Sequence, residues 1–249
     1  MENNIFKYYI QIALAFILYI LLLVLIIQQV ADILDFQPLI DNKIMILESA
    51  LKTLNLSLLA LVASVVSGFI IFLMTESKIV FIHFVAKIFK EIIMGTPLLV
   101  MVFVIVYIIG PAFGIREKIA LGFFSLTLYM SPYMANIYEG AYKTIDNNQF
   151  MIMDLYGFNS YQKYYYFILP QMIRPIVPGL INSLSSIVKG TSILSTIAVT
   201  EIFYTISILS NQTYRYIEGY FVLWLVYLVI TIPLSLLAQF FTKRWEKIK

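Results

Sequence analysis

The sequence predicts an all-α polytopic membrane protein with about six transmembrane helices. Three observations predict it. Of 249 residues, 61% are hydrophobic and only 12% are charged, whereas soluble domains carry about 25% charged residues. The apolar residues fall into long uncharged runs of the length a bilayer core requires, roughly 20 residues per helix. The 17 Lys and Arg residues punctuate those runs and form no stripe. Barrel strands would instead alternate polar and apolar over about ten residues.

Tyr8–Val30 is the first run. It is long for the apolar region of a signal peptide, and Gln28-Gln29-Val30-Ala31-Asp32 is a poor cleavage context, so a retained helix is expected. Val30–Glu48 is short, acidic and contains Pro38, which predicts an external connection with at most a half-buried turn of helix. Thr53–Thr75 is the second run. Ile92–Ile115 is the third, with kinks expected at Gly95-Thr96-Pro97 and Gly110-Pro111. Ile119–Tyr138 is the fourth and bends at Ser131-Pro132. Pro175–Thr200 is the fifth, interrupted only by Lys189, and Gly219–Thr242 is the sixth. The chain divides into residues 1–48, an N-terminal helix with its external connection, and residues 49–249, the transmembrane domain, with a cytoplasmic loop at about 139–174.

Lys and Arg collect on the cytoplasmic side of membrane proteins. Eleven of them (Lys7, Lys78, Lys87, Lys90, Lys143, Lys163, Arg174, Lys243, Arg244, Lys247 and Lys249) fall on one side. Five, namely Lys43, Lys52, Arg116, Lys118 and Arg215, fall on the other. Both termini and the segment Glu139–Arg174 are therefore expected in the cytoplasm, although Arg116 and Lys118 dissent.

Several chemistries are excluded. Without cysteine there is no disulfide scaffold, thiolate nucleophile or cysteine-ligated zinc, and a single histidine, His83, cannot build a metal cluster. The scattered basic residues exclude a nucleic-acid partner. No GxxxxGK[ST] phosphate loop occurs; Val188-Lys189-Gly190-Thr191-Ser192 lacks the glycine-rich turn and lies inside a span. Transport work then needs an ion gradient or a nucleotide site lent by a partner. An ion-driven secondary transporter favours carboxylates near mid-membrane, and Glu139, Asp146, Asp154 and Glu201 all sit at span ends or in loops. A non-transport membrane scaffold would need neither the folded loop nor Lys189.

The loop carries the most informative stretch, FMIMDLYGFNSYQKYYYFILP from Phe150 to Pro170. Phe150–Tyr156 is predicted as two helical turns, with Phe150, Met151, Met153 and Asp154 presenting a mixed surface. Gly157 is the expected stop, through a left-handed backbone position. Tyr161–Leu169 is a second short helix, ended or bent at Pro170. Such an element either docks a partner protein or rests on lipid headgroups, and the residues by themselves leave both open.

Gly157, Leu169 and Pro170 match the spacing of a cytoplasmic-loop pattern in which Glu-Ala-Ala is followed by glycine and then a distant Leu-Pro. The stretch YYFILPQMIRPIVPGLINSLSSIVKGTSILSTIAVTEI, through Ile202, with Gly95–Gly110 and Leu126–Ile145, continues the match. The chain thereby resembles the permease subunits of ATP-binding-cassette importers for polar amino acids, over about Ser49 to Lys249. The resemblance implies a five-helix type I permease core, with Tyr8–Val30 as an added helix. It implies a bacterial inner or plasma membrane location and a second permease subunit, identical or homologous. It further implies separate ATPase subunits that hold ATP and Mg, an extracytoplasmic substrate-binding protein, and a polar amino acid as substrate. No cofactor is expected on this chain. The loop becomes the coupling element, with Phe150, Met151, Asp154, Gly157, Leu169 and Pro170 facing the ATPase. Met151-Ile152-Met153 stands where the family commonly has Glu-Ala-Ala, so Asp154, nearby on the same helix, is the available carboxylate.

Lys189 is the one basic residue well inside a span. Burying it unpaired costs several kcal/mol, so it either snorkels or faces a wet path. The family often has an acidic neighbour where Gly190 stands. Thr191 and Ser192 beside it, with Ser131, Tyr133 and Asn136 after the Pro132 bend, complete the candidate substrate path. For each of these, helix–helix bonding is the competing role.

Overall fold

The computed structural model describes residues 34–246, with positions 11, 14–21, 24, 25 and 28 of the N-terminal run, all helical. The span expected at Tyr8–Val30 therefore lies largely outside the described residues. The rest is helical. A short α1 (Gln37–Asp41) has Pro38 in its first turn, where a missing N–H costs nothing. It leads directly into α2 (Lys43–Thr75).

The start of α2 corrects the sequence-based reading. Residues 43–52, expected mostly in a connection or between spans, are its first turns. Lys43, Glu48 and Lys52 interrupt the uncharged run but point outward, while Ile46, Ser49 and Thr53 are buried on one face at helical spacing.

The third predicted run is sharply broken near its start, where Gly95-Thr96-Pro97 marked a kink. α3 (Val80–Gly95) and α4 (Leu98–Ala112) meet at 109°. Thr96, before Pro97, is extended with ψ 126°, the conformation that proline imposes on its predecessor. Inside α4, Ile105–Ile109 is a π-helical turn just ahead of Gly110-Pro111. The element closes at Gly114, φ +74°.

Glu117 caps α5 (Lys118–Lys143) by accepting the Ala120 N–H, and Pro132 lies inside it. A hairpin opens with α6 (Asn147–Leu155), capped by Asp146, whose carboxylate accepts the Asn148 N–H at 2.9 Å.

The second arm also departs from expectation. Instead of ending or sharply bending at Pro170, the helix runs on as α7 (Ser160–Ile197), through a π-helical stretch at Lys163–Ile168, an α-helical body at Leu169–Gly190 and a 3-10 segment at Thr191–Ile197. A wide turn ending two residues before the proline accommodates its ring and missing N–H; Pro111 shows the same arrangement. α7 stops at Ala198, in the left-handed region at φ 59°. α8 (Ile202–Thr213) leaves at 50° to it. α9 (Tyr216–Glu246) closes the chain.

Among the described residues, two helices are long and apolar enough to cross a membrane, α2 and Tyr216–Trp245 of α9. Counting the bent pairs α3–α4 and α7–α8 as one span each gives up to four. The expected six are thus matched only in part. α5 has the length at 26 residues, yet it carries Ser125, Ser131 and Pro132 on a face enclosed by neighbouring helices. A helix shielded by its own protein has less need of an apolar surface.

The helices pack most closely along a seam of small residues between α2 and α5. Thr53, Ser57, Ala60 and Ser64 are buried on α2. Beyond them, a β-carbon on Gly68 would lie 2.3 Å from Met134 Cβ and 2.8 Å from the Ser131 carbonyl oxygen. The Ser67 and Ser131 hydroxyls are 2.5 Å apart across the seam. One of the two donates to the other, and the one that accepts keeps its own hydrogen for its helix, Ser67 for the Ala63 carbonyl or Ser131 for the Thr127 carbonyl. This is the small-residue packing by which helices associate in lipid.

Two ion clusters tie the ends. Lys90 and Lys143 hold Glu139 at 2.9 and 2.6 Å, which keeps the Glu139 carboxyl below its ordinary range, first through Lys143 and then Lys90. Elsewhere Arg215 meets Asp35 at 3.0 Å, and the Glu218 carboxylate accepts the Asp35 N–H at 2.7 Å.

Candidate functional site: a folded hairpin and a polar helix face

α6 has two unlike sides. Met153 is buried, and Phe150 packs inward with its ring 5.9 Å from Tyr142, which in turn lies 5.8 Å from Phe72 of α2. Outward stand Met151, Ile152, Leu155 and Tyr156; Leu155 is 81% exposed and Tyr156 78%. Of the predicted coupling residues, Met151 lies on the open side, while Phe150 anchors the helix to the body.

Gly157 occupies the left-handed region at φ +72°. The Phe158 N–H reaches the Met153 carbonyl at 3.1 Å and the Gly157 N–H reaches Asp154 at 3.0 Å, so the orphan carbonyls of the last turn are capped in a Schellman motif. The chain then turns into α7, whose N-terminus is a reciprocal cap: Asn159 accepts from the Gln162 N–H, and the Gln162 side chain accepts from the Asn159 N–H, both at 2.9 Å. Phe158 packs against Phe167 with centroids 5.0 Å apart and planes tilted by 59°, closing the hairpin. Asp154 is exposed but already ion-paired with Lys163 of the other arm. Leu169 and Pro170 are exposed on α7 beyond the π-helical turns. The inward anchors, Tyr142 and Phe72, were missed by sequence reasoning. Their only signal was the four-residue spacing of Tyr138 and Tyr142.

The candidate path residues separate. Ser131 is buried in the α2–α5 seam, bonded to Ser67. Thr191 is buried and donates to the Val188 carbonyl at 2.8 Å. Tyr133 and Asn136 of α5 instead border an open cleft of about 440 Å³ with Asn182, Ser183 and Ser186 of α7. Lys189 and Ser192 border a second cleft, of about 310 Å³, whose other walls are aromatic: Phe203, Tyr220, Trp224 and Tyr227. Asn182, Ser186 and Lys189 are spaced four and three residues apart, so they form one exposed stripe on α7. Sequence reasoning found Lys189 but passed over Asn182 and Ser186. Among the described residues, no group of three or more His, Asp or Glu side chains is placed to hold a metal ion.

A bent-helix body with a folded hairpin between two cleft-bordering helices has direct counterparts. Residues 80–247 match the family of binding-protein-dependent transport system inner membrane components. The chain belongs to that family. It is the permease half of an ATP-driven importer, and ATP hydrolysis resides on a separate ATPase subunit. The permease is 31% identical over 210 residues to a Bacillus subtilis (strain 168) protein named for glutamine ABC transport, GlnM, covering 84% of this chain and 97% of that one. It is 29% identical over 198 residues to the amino-acid permease protein YxeN of the same organism, covering 78% and 88%. The crystal structure of an amino acid ABC transporter with histidines is similar at 31% identity and a TM-score of 0.78, covering 85% of this permease and 99% of that chain. The MetNI methionine transporter in an inward-facing conformation, at 16% identity and a TM-score of 0.63, shares the fold.

Proposed function

We propose that this permease imports a polar amino acid, with a second permease subunit completing the path and an extracytoplasmic binding protein delivering the substrate. The amino-acid class rests on the relatives' names. The coupling role rests on one observation: α6 is anchored inward by Phe150 and Met153 and leaves Met151, Ile152, Leu155 and Tyr156 exposed. An anchored helix with an unmatched apolar side fits a groove on an ATPase that holds ATP and Mg. Gly157 sets the turn of the hairpin, and Leu169 and Pro170 mark the emergence of its second arm. The path is the α5–α7 face of Tyr133, Asn136, Lys189 and Ser192; Ser131 and Thr191 support it from within. The chain crosses a bacterial inner or plasma membrane six times, five crossings forming the core of residues 49–249 and one being Tyr8–Val30, with both termini in the cytoplasm.

Reconstitution tests this reading. With its ATPase and binding protein in vesicles, the permease drives ATP-dependent amino-acid uptake. Concentrative uptake by the permease alone refutes it. Orientation is read with single cysteines, which the native chain lacks. Ser160→Cys reacts with an impermeant thiol reagent only from the cytosolic face and Gln212→Cys only from outside; the reverse overturns the topology.

A further inference from the structure

Lys189 stands alone on the polar face. It is exposed in the last α-helical turn of α7, and among the described residues its ammonium makes no hydrogen bond or ion pair. Glu201 does not neutralise it: that carboxylate is buried beneath the cleft and caps α8, accepting the Phe203 and Tyr204 N–H groups at 3.0 and 2.7 Å. Glu139 is held by two lysines at one end, and Glu218 and Asp35 by Arg215 at the other. The remaining polar groups along the stripe, Asn136, Asn182, Ser186 and Ser192, are uncharged. The position beside Lys189 is glycine and supplies no acid. A β-carbon on Gly190 would sit 3.2 Å from Leu98 and 3.6 Å from Leu126, facing the helix packing. The charge on this face is thus single, positive and unbalanced.

We propose that Lys189 is a specificity-determining residue that binds the substrate's carboxylate and makes the path selective for amino acids with neutral or acidic side chains over cationic ones. This rests on the importer reading above. A carboxylate of the passing amino acid pairs with the Lys189 ammonium, and the Ser192 hydroxyl at the same cleft supplies a second donor by turning away from the Lys189 carbonyl, to which it donates at 2.7 Å. A cationic side chain brought to the same cleft meets a like charge at close range. That opposition is large enough for at least about tenfold discrimination.

Direct binding to the permease–ATPase complex, without binding protein, reads the permease's own preference. The probes are radiolabelled glutamate, glutamine, cystine and arginine. At least one of the first three is expected to bind about tenfold or more tighter than arginine. Lys189→Gln narrows that ratio, Lys189→Arg preserves it, and Lys189→Glu inverts it. Preference for arginine in the native complex, or an unchanged ratio in Lys189→Gln, overturns the assignment of Lys189 while ATP-driven uptake in the vesicle assay leaves the importer reading standing. Failure of the full complex to take up any of the four refutes both.

Discussion

Replacing Gly157 tests how the proposed coupling hairpin is held. A β-carbon built there meets nothing within 4 Å, so any penalty comes from the backbone and not from collision with neighbours. At φ +72° an L-residue crowds its own carbonyl, at a cost of about 1–2 kcal/mol, and a β-branched residue stands at the upper end. The chain can escape only by giving up the Phe158 and Gly157 bonds that cap α6. That energy corresponds to about a five- to thirtyfold smaller population of the ordered hairpin. Gly157→Val is expected to weaken ATPase association by that factor, measured by titrating the ATPase onto detergent-solubilised permease, and to lower substrate-stimulated hydrolysis in parallel. Gly157→Ala falls between, and Gly157→Asn stays nearest to wild type because asparagine tolerates the left-handed region. A steric mechanism would order the variants by side-chain size and make asparagine as harmful as valine. Equal losses for those two, or no loss for valine in well-inserted protein, refute the backbone argument.

Gly68→Val should lower the thermal midpoint of the solubilised permease more than any of the Gly157 variants. Its new atoms would press on Met134 Cβ and the Ser131 carbonyl, both fixed to α5, and overpacking costs about 1–3 kcal/mol; an unchanged midpoint would mean that the seam opens freely. The Lys163–Asp154 pair gives opposite expectations for two roles of Asp154. If the carboxylate ties the hairpin arms together, Lys163→Ala and Asp154→Ala weaken ATPase binding alike. If it instead meets the ATPase, freeing it by Lys163→Ala tightens binding. Acid should selectively release the Glu139 cluster. Its pKa is lowered in the folded chain from an ordinary 4.5, so its stabilisation is complete above that value and disappears as pH falls through the lowered one. Glu139→Gln should differ in melting temperature from wild type at neutral pH and converge with it in strong acid; a gap that persists there contradicts the linkage.

The hairpin was legible because its signals are local. Gly157 stops α6 as its position after an apolar turn predicts, since only glycine adopts that backbone state without strain. The bends were legible as places but not as angles. Gly95-Thr96-Pro97 marked a break, yet the 109° turn depends on what α3 and α4 pack against. The start of α2 and the continuity through Pro170 were hidden for a shared reason. In the first case charged side chains point away from the buried face, and in the second a wide turn absorbs a residue that usually ends helices. Both depend on the third dimension. The path residues were the least legible, because a serine bonded across a seam and a serine open to a cleft look alike in one dimension. Ser131 and Ser186 differ only in which way their helix is turned.

The aromatic contacts that join α6 to the body also decide how force is transmitted. Phe150, Tyr142 and Phe72 form an unbroken aromatic contact from the hairpin to the α2–α5 pair, and at Gly68 that pair packs nearly backbone to backbone. The other arm is a continuous helix into α7, softened by Pro175 and Pro178 and by the wide turns at Lys163–Ile168. On the coupling role proposed above, a push on α6 would pass directly to the α5 wall of the cleft and to the α7 wall only through these softened turns. The two walls would then shift relative to each other, and that relative displacement, more than any movement of the bundle as a whole, would open or close the cleft that α5 and α7 border.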